Sequence, residues 1–306
     1  MVTSFDIGGS FIRFARPLAA GLAVEAGRVP TPLNSWPDFV DALRSCLPDP
    51  AGPAVISLAG AFDAETGLAD VANIPCLHGR RVASDLSEEL GVPVQIINDA
   101  NAFALAEAVD GAGAGKDTVF AIILGSGVGG GLTHKGMLVT GHGGIAGEWG
   151  HGPVVDPTAA GTLSGIPHFE CGCGQTGCLD AYGSARGLEK LHQALHGTDL
   201  SSIQITSAWH AGDLDATKTI DVYTTLLSRA LSMVVNLLGP DVIPVSGGLS
   251  ADEELLKEID SKTRALTLAA YETPLVLRGT FADNGGLQGA SIQARKTFKE
   301  EFFLTS

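Results

Sequence analysis

The chain has 306 residues, 45% of them hydrophobic, which suits two lobes better than one core, and it carries 34 acidic against 19 basic side chains for a formal net charge of -15. No basic cluster interrupts that excess, so a nucleic-acid or anionic-membrane partner is disfavoured, because either needs a positive patch. The opening MVTSFDIGGS lacks the basic and apolar regions of a secretion signal and no long uncharged apolar stretch suits a membrane span, so a cytoplasmic protein with reduced thiols is expected.

In chain order, residues 2–7 read as a strand, Gly8 and Gly9 as a turn, and residues 11–15 as a second strand. Asp6 ends the first strand. The turn through Gly8, Gly9 and Ser10 leaves backbone N–H groups unobstructed, a shape that serves a phosphate or an unliganded hairpin alike. Residues 22–29 supply a third strand. Ser35 is a helix N-cap, with Pro37 in the first turn and Trp36, Phe39, Val40, Leu43 and Leu47 at helical spacing. Residues 55–58 form a buried strand leading into the loop that carries Gly60, and Asn73 lies in a loop before a helix near 83–90. The strand at 94–97 then delivers Asn98, Asp99, Ala100 and Asn101 ahead of an alanine-rich helix at 102–108. A carboxylate at the carboxyl end of a strand in an α/β sheet faces the crevice where ligands bind, which makes Asp99 a candidate general base. The alternative is that Asp99 caps the helix while Asn98 and Asn101 satisfy loop backbone.

The glycine- and alanine-rich segment 111–116 reads as a join between lobes. A strand at 119–124 follows, then GSGVGGG at 125–131, so the second half begins as the first did, with strand, glycine turn, strand. That repetition predicts an internal duplication in which two glycine turns hold one polyphosphate between them. Neither turn fits a Walker pattern or a dinucleotide fingerprint opening a helix. Helices are expected near 185–195, 202–210 and 215–238, the last stopping at Gly239-Pro240. A strand at 241–245 leads to a third glycine turn, Ser246-Gly247-Gly248-Leu249-Ser250, suited to close approach of a purine or ribose or simply to entering a helix. A final strand at 274–277 and a closing helix at 286–298 complete the chain.

Between these elements, Cys171, Cys173 and Cys178 fall within eight residues, separated by Gly172, Gly174 and Gly177. Thiolates at this spacing can turn inward on one ion, and three cysteines plus a histidine make a common closed zinc set, favoured here over a disulfide. Spacing leaves the fourth ligand open between His168, three residues before Cys171, and His151, 20 residues before it.

The motifs DIGGS at Asp6, NDAN at Asn98, GSGVGGG at Gly125, GEWGH at Gly147, CGCGQTGC at Cys171 and SGGLS at Ser246 resemble, in order and spacing, the ROK family of sugar kinases and repressors over essentially the whole chain. The resemblance implies an α/β, duplicated, two-lobed actin-like (ribonuclease H-like) ATPase fold with a zinc-stabilised loop. Residues 1–112 would form the lobe with the sugar and the catalytic aspartate, and residues 113–306 the lobe with the ATP and zinc motifs, a helix at about 286–300 packing back on the first. By the same likeness His151, Cys171, Cys173 and Cys178 hold Zn2+, and Asp99 accepts the proton of a hexose 6-hydroxyl. Gly60, Asn73, Asn98, Asn101, Glu148, His151 and Asp180 line the sugar. Asp6, Gly8, Gly9, Ser10, Gly125, Ser126, Gly127, Gly129, Gly247 and Gly248 serve ATP and Mg2+. The sugar implied first is N-acetyl-D-glucosamine, with glucose, fructose and N-acetylmannosamine as alternatives. A sugar-responsive repressor is the rival of another class, and a first glycine turn at residue 8 leaves no room before it for a helix-turn-helix. A homodimer is usual for the resemblance. Three positions depart from the family pattern: Phe11 stands where Lys is frequent, Ser10 for Thr, and Asp180 for Glu.

Overall fold

A computed structural model describes residues 1–17, 20–62, 66–71, 73–152 and 166–298. The Gly8-Gly9 turn folds β1 (Thr3–Ile7) antiparallel onto β2 (Phe11–Ala15), which pairs in turn with β3 (Glu25–Pro30). This third strand starts later than its apolar residues suggest, because Leu22 and Val24 are exposed ahead of it. Ser35 accepts a hydrogen bond from the Asp38 N–H and starts α1 (Trp36–Cys46), which buries Phe39, Val40 and Leu43 as their spacing requires. Next come β4 (Ala54–Leu58), a small hairpin of β5 (Ala61–Phe62) and β6 (Ala69–Asp70), helix α2 (Val82–Leu90) and β7 (Val94–Asn98). Strands β4 and β7 extend the sheet in parallel, giving the order β3-β2-β1-β4-β7. Helix α3 (Asp99–Asp110) follows directly, three residues ahead of its alanine run.

The second half repeats this plan. Strands β8 (Thr118–Leu124) and β9 (Val128–His134) are antiparallel, β10 (Met137–Leu138) lies at the edge, and β11 (Ile243–Ser246) and β12 (Val276–Arg278) add in parallel, giving β10-β9-β8-β11-β12. Both sheets therefore have one topology, an antiparallel meander followed by two parallel strands, as a duplication predicts. The glycine run divides differently from the expected turn. Only Gly125 and Gly127 belong to the turn, while Gly129, Gly130 and Gly131 lie inside β9, where a methyl group on Gly131 would meet the Ala100 carbonyl oxygen at 2.5 Å. Helices α4 (Asp180–Gly183), α5 (Ala185–His196), α6 (Ser202–His210), α7 (Leu214–Leu238) and α8 (Glu253–Arg264) belong to this half, and Phe120, Leu124, Tyr182, Tyr223, Leu227, Val245 and Ile259 are buried in its core. Helix α7 stops at Gly239, which is left-handed, with Pro240 after it. The third glycine turn enters a short 3-10 turn before Asp252 caps α8. Among the described residues no helix is long and apolar enough to cross a membrane.

Helix α9 (Gly285–Thr297) returns to the first sheet and packs on α3, β1 and β4. The α3–α9 crossing explains the alanines. A methyl group on Gly289 would collide with the Ala102 carbonyl oxygen, and Ala102, Ala106, Ala290 and Ala294 are all buried beside it. The chain thus passes between the halves twice, at 111–117 and at 279–284, and one side chain holds both passages. Glu107 is fully buried, with one carboxylate oxygen accepting the Ala112 N–H at 2.8 Å and the other the Phe281 N–H at 2.6 Å. Burial raises its pKa, and these backbone N–H groups work in the opposite direction.

Because the atom opposing a side chain at Gly289 is backbone, relief requires the helices to part. Gly289→Ala is expected to cost roughly 1–3 kcal/mol or more and to lower Tm by several degrees. An unchanged thermal unfolding curve would show that the two helices are not held this closely.

Candidate functional site

Asn98 provides the N-cap of α3, its side-chain oxygen accepting the N–H groups of Ala100 and Asn101, while its amide donates to the Gly60 carbonyl at 3.0 Å. The cap is Asn98 rather than Asp99, which occupies the first helical turn with one carboxylate oxygen accepting the Ala100 N–H at 2.9 Å. Asp99 is only partly covered. The protein around it is nevertheless dense enough that desolvation, with the negative charges of Asp6 and Glu148, pushes its pKa up to about 6. Three carboxylates therefore converge on the head of α3. Asn101 is nine-tenths buried, and its side-chain oxygen has no protein partner.

The first glycine turn is built around Asp6. Strand register sets Asp6 opposite Arg13, and the guanidinium forms an ion pair with the carboxylate while donating to the Asp283 carbonyl at 3.1 Å. Asp6 also lies against the start of α9, where a side chain on Gly286 would collide with it. Phe11 leaves the turn without a cation at that position, its ring lying under the Arg28 guanidinium at 4.8 Å; Arg13, two residues on, brings one. Thr31 donates its hydroxyl to the Gly8 carbonyl and its N–H to the Ser10 carbonyl. Asn73 is exposed and backs onto Gly9, beside this turn.

The second and third glycine turns touch. Gly247, at φ 89°, presses on the Leu124 carbonyl so closely that a side chain is excluded, and its Cα is 3.9 Å from where a methyl group on Gly125 would stand. Ser126 and Gly248 are exposed beside them. A cleft of about 710 Å3 opens at Gly248, lined by Ala185, Ile203, Thr206, Leu249 and Asp252.

Glu148 and His151 sit on a loop clamped to β9. A side chain on Gly130 would meet the Gly147 carbonyl at 2.7 Å and one on Gly150 the Val128 carbonyl at 2.6 Å, while the Trp149 indole N–H donates to the Gly129 carbonyl at 3.0 Å. The glycines of GEWGH and GGG thus permit a backbone-to-backbone contact, and Trp149 anchors it edge-on to Phe120. His151 turns Nδ1 toward Cys171 Sγ at 3.7 Å and Nε2 toward the Glu148 carboxylate at 3.5 Å. The ligand atoms of His151, Cys171, Cys173 and Cys178 all lie within 4.8 Å of one another, and the thiols are unpaired. His168 is exposed and outside this group among the described residues. Left-handed Gly174 and Gly177 make the turns that fold the knot inward. Burial raises the Cys171 and Cys178 thiols, whereas the Gln175 N–H draws Cys173 down to about 7. Cys173 and Cys178 Sγ are 3.7 Å apart. A tetrahedral ion with metal–sulfur bonds of about 2.3 Å places its sulfurs roughly 3.8 Å apart, so the donor set fits such an ion. Asp180, two residues after the last cysteine, donates its own N–H to the Gly150 carbonyl and turns one carboxylate oxygen to the Val128 N–H at 2.7 Å.

Two sheets of one topology, glycine turns at the strand ends and an acid at the head of the central helix define a duplicated α/β protein. The chain belongs to the ROK family, which it matches over residues 2–297. It is 33% identical over 298 residues to the N-acetyl-D-glucosamine kinase of Photobacterium profundum, an alignment covering 95% of this chain and 98% of that protein. It is similar to the ROK hexokinase from Thermus thermophilus, with a TM-score of 0.81 and 26% identity across 95% of this chain and 96% of that one. It is also similar to a ROK family glucokinase from Streptomyces griseus in complex with glucose and AMPPNP, with a TM-score of 0.75 and 27% identity across 96% and 99% of the two chains.

The geometry separates the two candidate histidines. His151→Ala is expected to release metal that His168→Ala retains, by elemental analysis of the purified proteins. Equal metal content in the two variants would remove His151 from the ligand set.

Proposed function

We propose that this chain transfers the γ-phosphoryl group of ATP to the 6-hydroxyl of N-acetyl-D-glucosamine. That it is an ATP-dependent sugar kinase follows from its family and its kinase relatives; the hydroxyl and the sugar are our reading. The observation that carries the chemistry is Asp99, a carboxylate at the head of α3 whose pKa is raised to about 6. A base with a pKa near the working pH combines a deprotonated ground state with enough basicity to take the hydroxyl proton as the oxygen attacks in line.

In this reading the sugar lies against Gly60, Asn98, Asn101, Glu148 and His151. The unpartnered Asn101 oxygen supports the assignment, as does the gathering of Glu148 close enough to bias Asp99. Asn98 has less to offer than its motif suggests, since its oxygen caps α3 and one amide hydrogen goes to Gly60. The phosphates lie among Gly8, Gly9, Ser10, Gly125, Ser126 and Gly127, and the nucleoside lies in the cleft beside Gly247 and Gly248. Magnesium bound with ATP would supply counter-charge to the phosphoryl group, and Asp6, held by Arg13, is the carboxylate we assign to it. Zinc is the ion we assign to His151, Cys171, Cys173 and Cys178, which would hold it and through it brace the knot. The proton on His151 Nε2 is then free to donate to Glu148, orienting the acid.

A coupled assay of ADP formation over N-acetylglucosamine, N-acetylmannosamine, glucose and fructose tests the reading. The highest kcat/KM is expected for N-acetylglucosamine, with the 6-phosphate as product; a preference for glucose or another hexose would replace the substrate, and no phosphosugar at all would end the proposal. Asp99→Asn should bind sugar normally but lose roughly 10²–10⁴-fold in kcat. Because only the carboxylate form accepts the proton, kcat/KM should be full above a pH of about 6 and fall about tenfold per unit below it. Substantial turnover by the Asn variant, or a flat acid limb, removes Asp99 from the base role.

A further inference from the structure

The family likeness puts an acid two residues after the last cysteine among the sugar ligands, yet the shorter Asp180 is engaged elsewhere. One carboxylate oxygen accepts the Val128 N–H at 2.7 Å, and it lies so near Gly127 that an added methyl group there would stand 2.9 Å away. The other oxygen is 3.9 Å from Cys171 Sγ. The backbone of Asp180 is fixed as well, its N–H donating to the Gly150 carbonyl and its carbonyl accepting the Ser184 hydroxyl at 2.8 Å. A few residues on, the Ala185 N–H donates to the Gly125 carbonyl at 2.8 Å. The segment 180–185 therefore grips the second glycine turn at both ends, at Gly125 and at Val128, and leaves Ser126 exposed between them.

From this geometry we infer that Asp180 is a positioning residue for the nucleotide rather than a sugar ligand. It fixes the backbone of the turn 125–128 and ties that turn to the cysteine knot. The inference rests on the sugar-kinase reading above. Its physical basis is that a glycine turn has no side-chain packing to hold its N–H groups in one direction. Left unrestrained, it must lose conformational freedom when it binds phosphate, and that loss weakens the nucleotide. A carboxylate accepting from the end of the turn fixes it beforehand, and a charge-assisted hydrogen bond is strong enough to do so. The missing methylene relative to Glu fits this placement: a carboxylate on a shorter stem stays at the backbone beside its own helix start instead of extending into the cleft.

The test is calorimetric binding to the metal-loaded protein, of AMPPNP without sugar and of N-acetylglucosamine without nucleotide, alongside the separate KM values and metal content. Asp180→Ala is expected to weaken AMPPNP and raise the ATP KM roughly tenfold, with sugar affinity and metal content within about twofold of the parent. Asp180→Asn, which keeps an acceptor oxygen for Val128, should recover nucleotide affinity. Asp180→Glu, whose longer stem displaces the carboxylate from that N–H, should weaken AMPPNP severalfold, and it keeps the inference testable if the alanine variant does not fold. Sugar affinity lost while AMPPNP affinity is intact in Asp180→Ala would make Asp180 a sugar ligand and overturn the inference. So would parent-like AMPPNP binding by Asp180→Glu, or joint loss of both ligands and the metal in the alanine and asparagine variants, which would mark a purely structural role. A parent protein that binds no AMPPNP or phosphorylates no sugar would instead defeat the kinase reading.

Discussion

Crowding of three negative charges around one helix terminus is the constraint on which this site depends. Asp6, Asp99 and Glu148 come from three separate segments, and each has its own local partners. Asp6 has the Arg13 guanidinium, and Glu148 has the Nε2 edge of His151. Asp99 has no cation of this kind beside it among the described residues and relies on backbone N–H groups at the head of α3, that of Ala100 foremost. Burial raises the affinity of Asp99 for a proton, and the charges of Asp6 and Glu148 add to that rise.

That crowding persists only because the backbone around it cannot relax. Helix α3 is pressed between α9 at Gly289 and strand β9 at Gly131, with distances that exclude even a methyl group. The loop of Glu148 is pressed on the other part of β9 at Gly130 and Gly150. Asp99 and Glu148 consequently share one strand as their common support, and neither can retreat from the other without breaking a backbone contact. Glu107 extends the same rigidity to the two passages between the sheets, since losing it would leave the Phe281 N–H buried and unpaired and release the Ala112 N–H from the protein.

Much of this was legible in the residues. The cap at Ser35, the stop at Gly239-Pro240, the repeated strand-turn-strand and the three clustered cysteines are local signals, each with one dominant physical reading. What was hidden depended on register or on distant partners. Nothing in the spacing of His151 and His168 decides which reaches the cysteines; the clamp of Gly147–Gly150 on β9 does. Asn98 and Asp99 both make good caps, and the choice between them followed from the Gly60 carbonyl taking the Asn98 amide. Gly129, Gly130 and Gly131 read as turn because glycine clusters usually are, whereas here they make room for α3 and Trp149 inside a strand. Glu107 does carry a signal, an acid set among the buried alanines of α3 just before a glycine-rich linker. Such an acid must find donors, and the linker's N–H groups are the nearest available.

The duplication also shows how one topology supports two unlike glycine turns. In the first half the turn follows β1, and its acid, Asp6, faces a cation on the very next strand, so the charge balance is closed locally through the Asp6–Arg13 register. In the second half the equivalent turn follows β8, has no acid of its own, and borrows one from α4, more than fifty residues on. The borrowed acid comes with the cysteine knot attached, because Asp180 starts its helix two residues after Cys178. A turn balanced within its own hairpin is insensitive to the rest of the chain, whereas a turn held from a distance takes its geometry from whatever fixes the distant element. The two halves therefore hold their turns differently: the first has a locally fixed carboxylate near Asp99, and the second has a glycine turn tied to the same knot that carries His151.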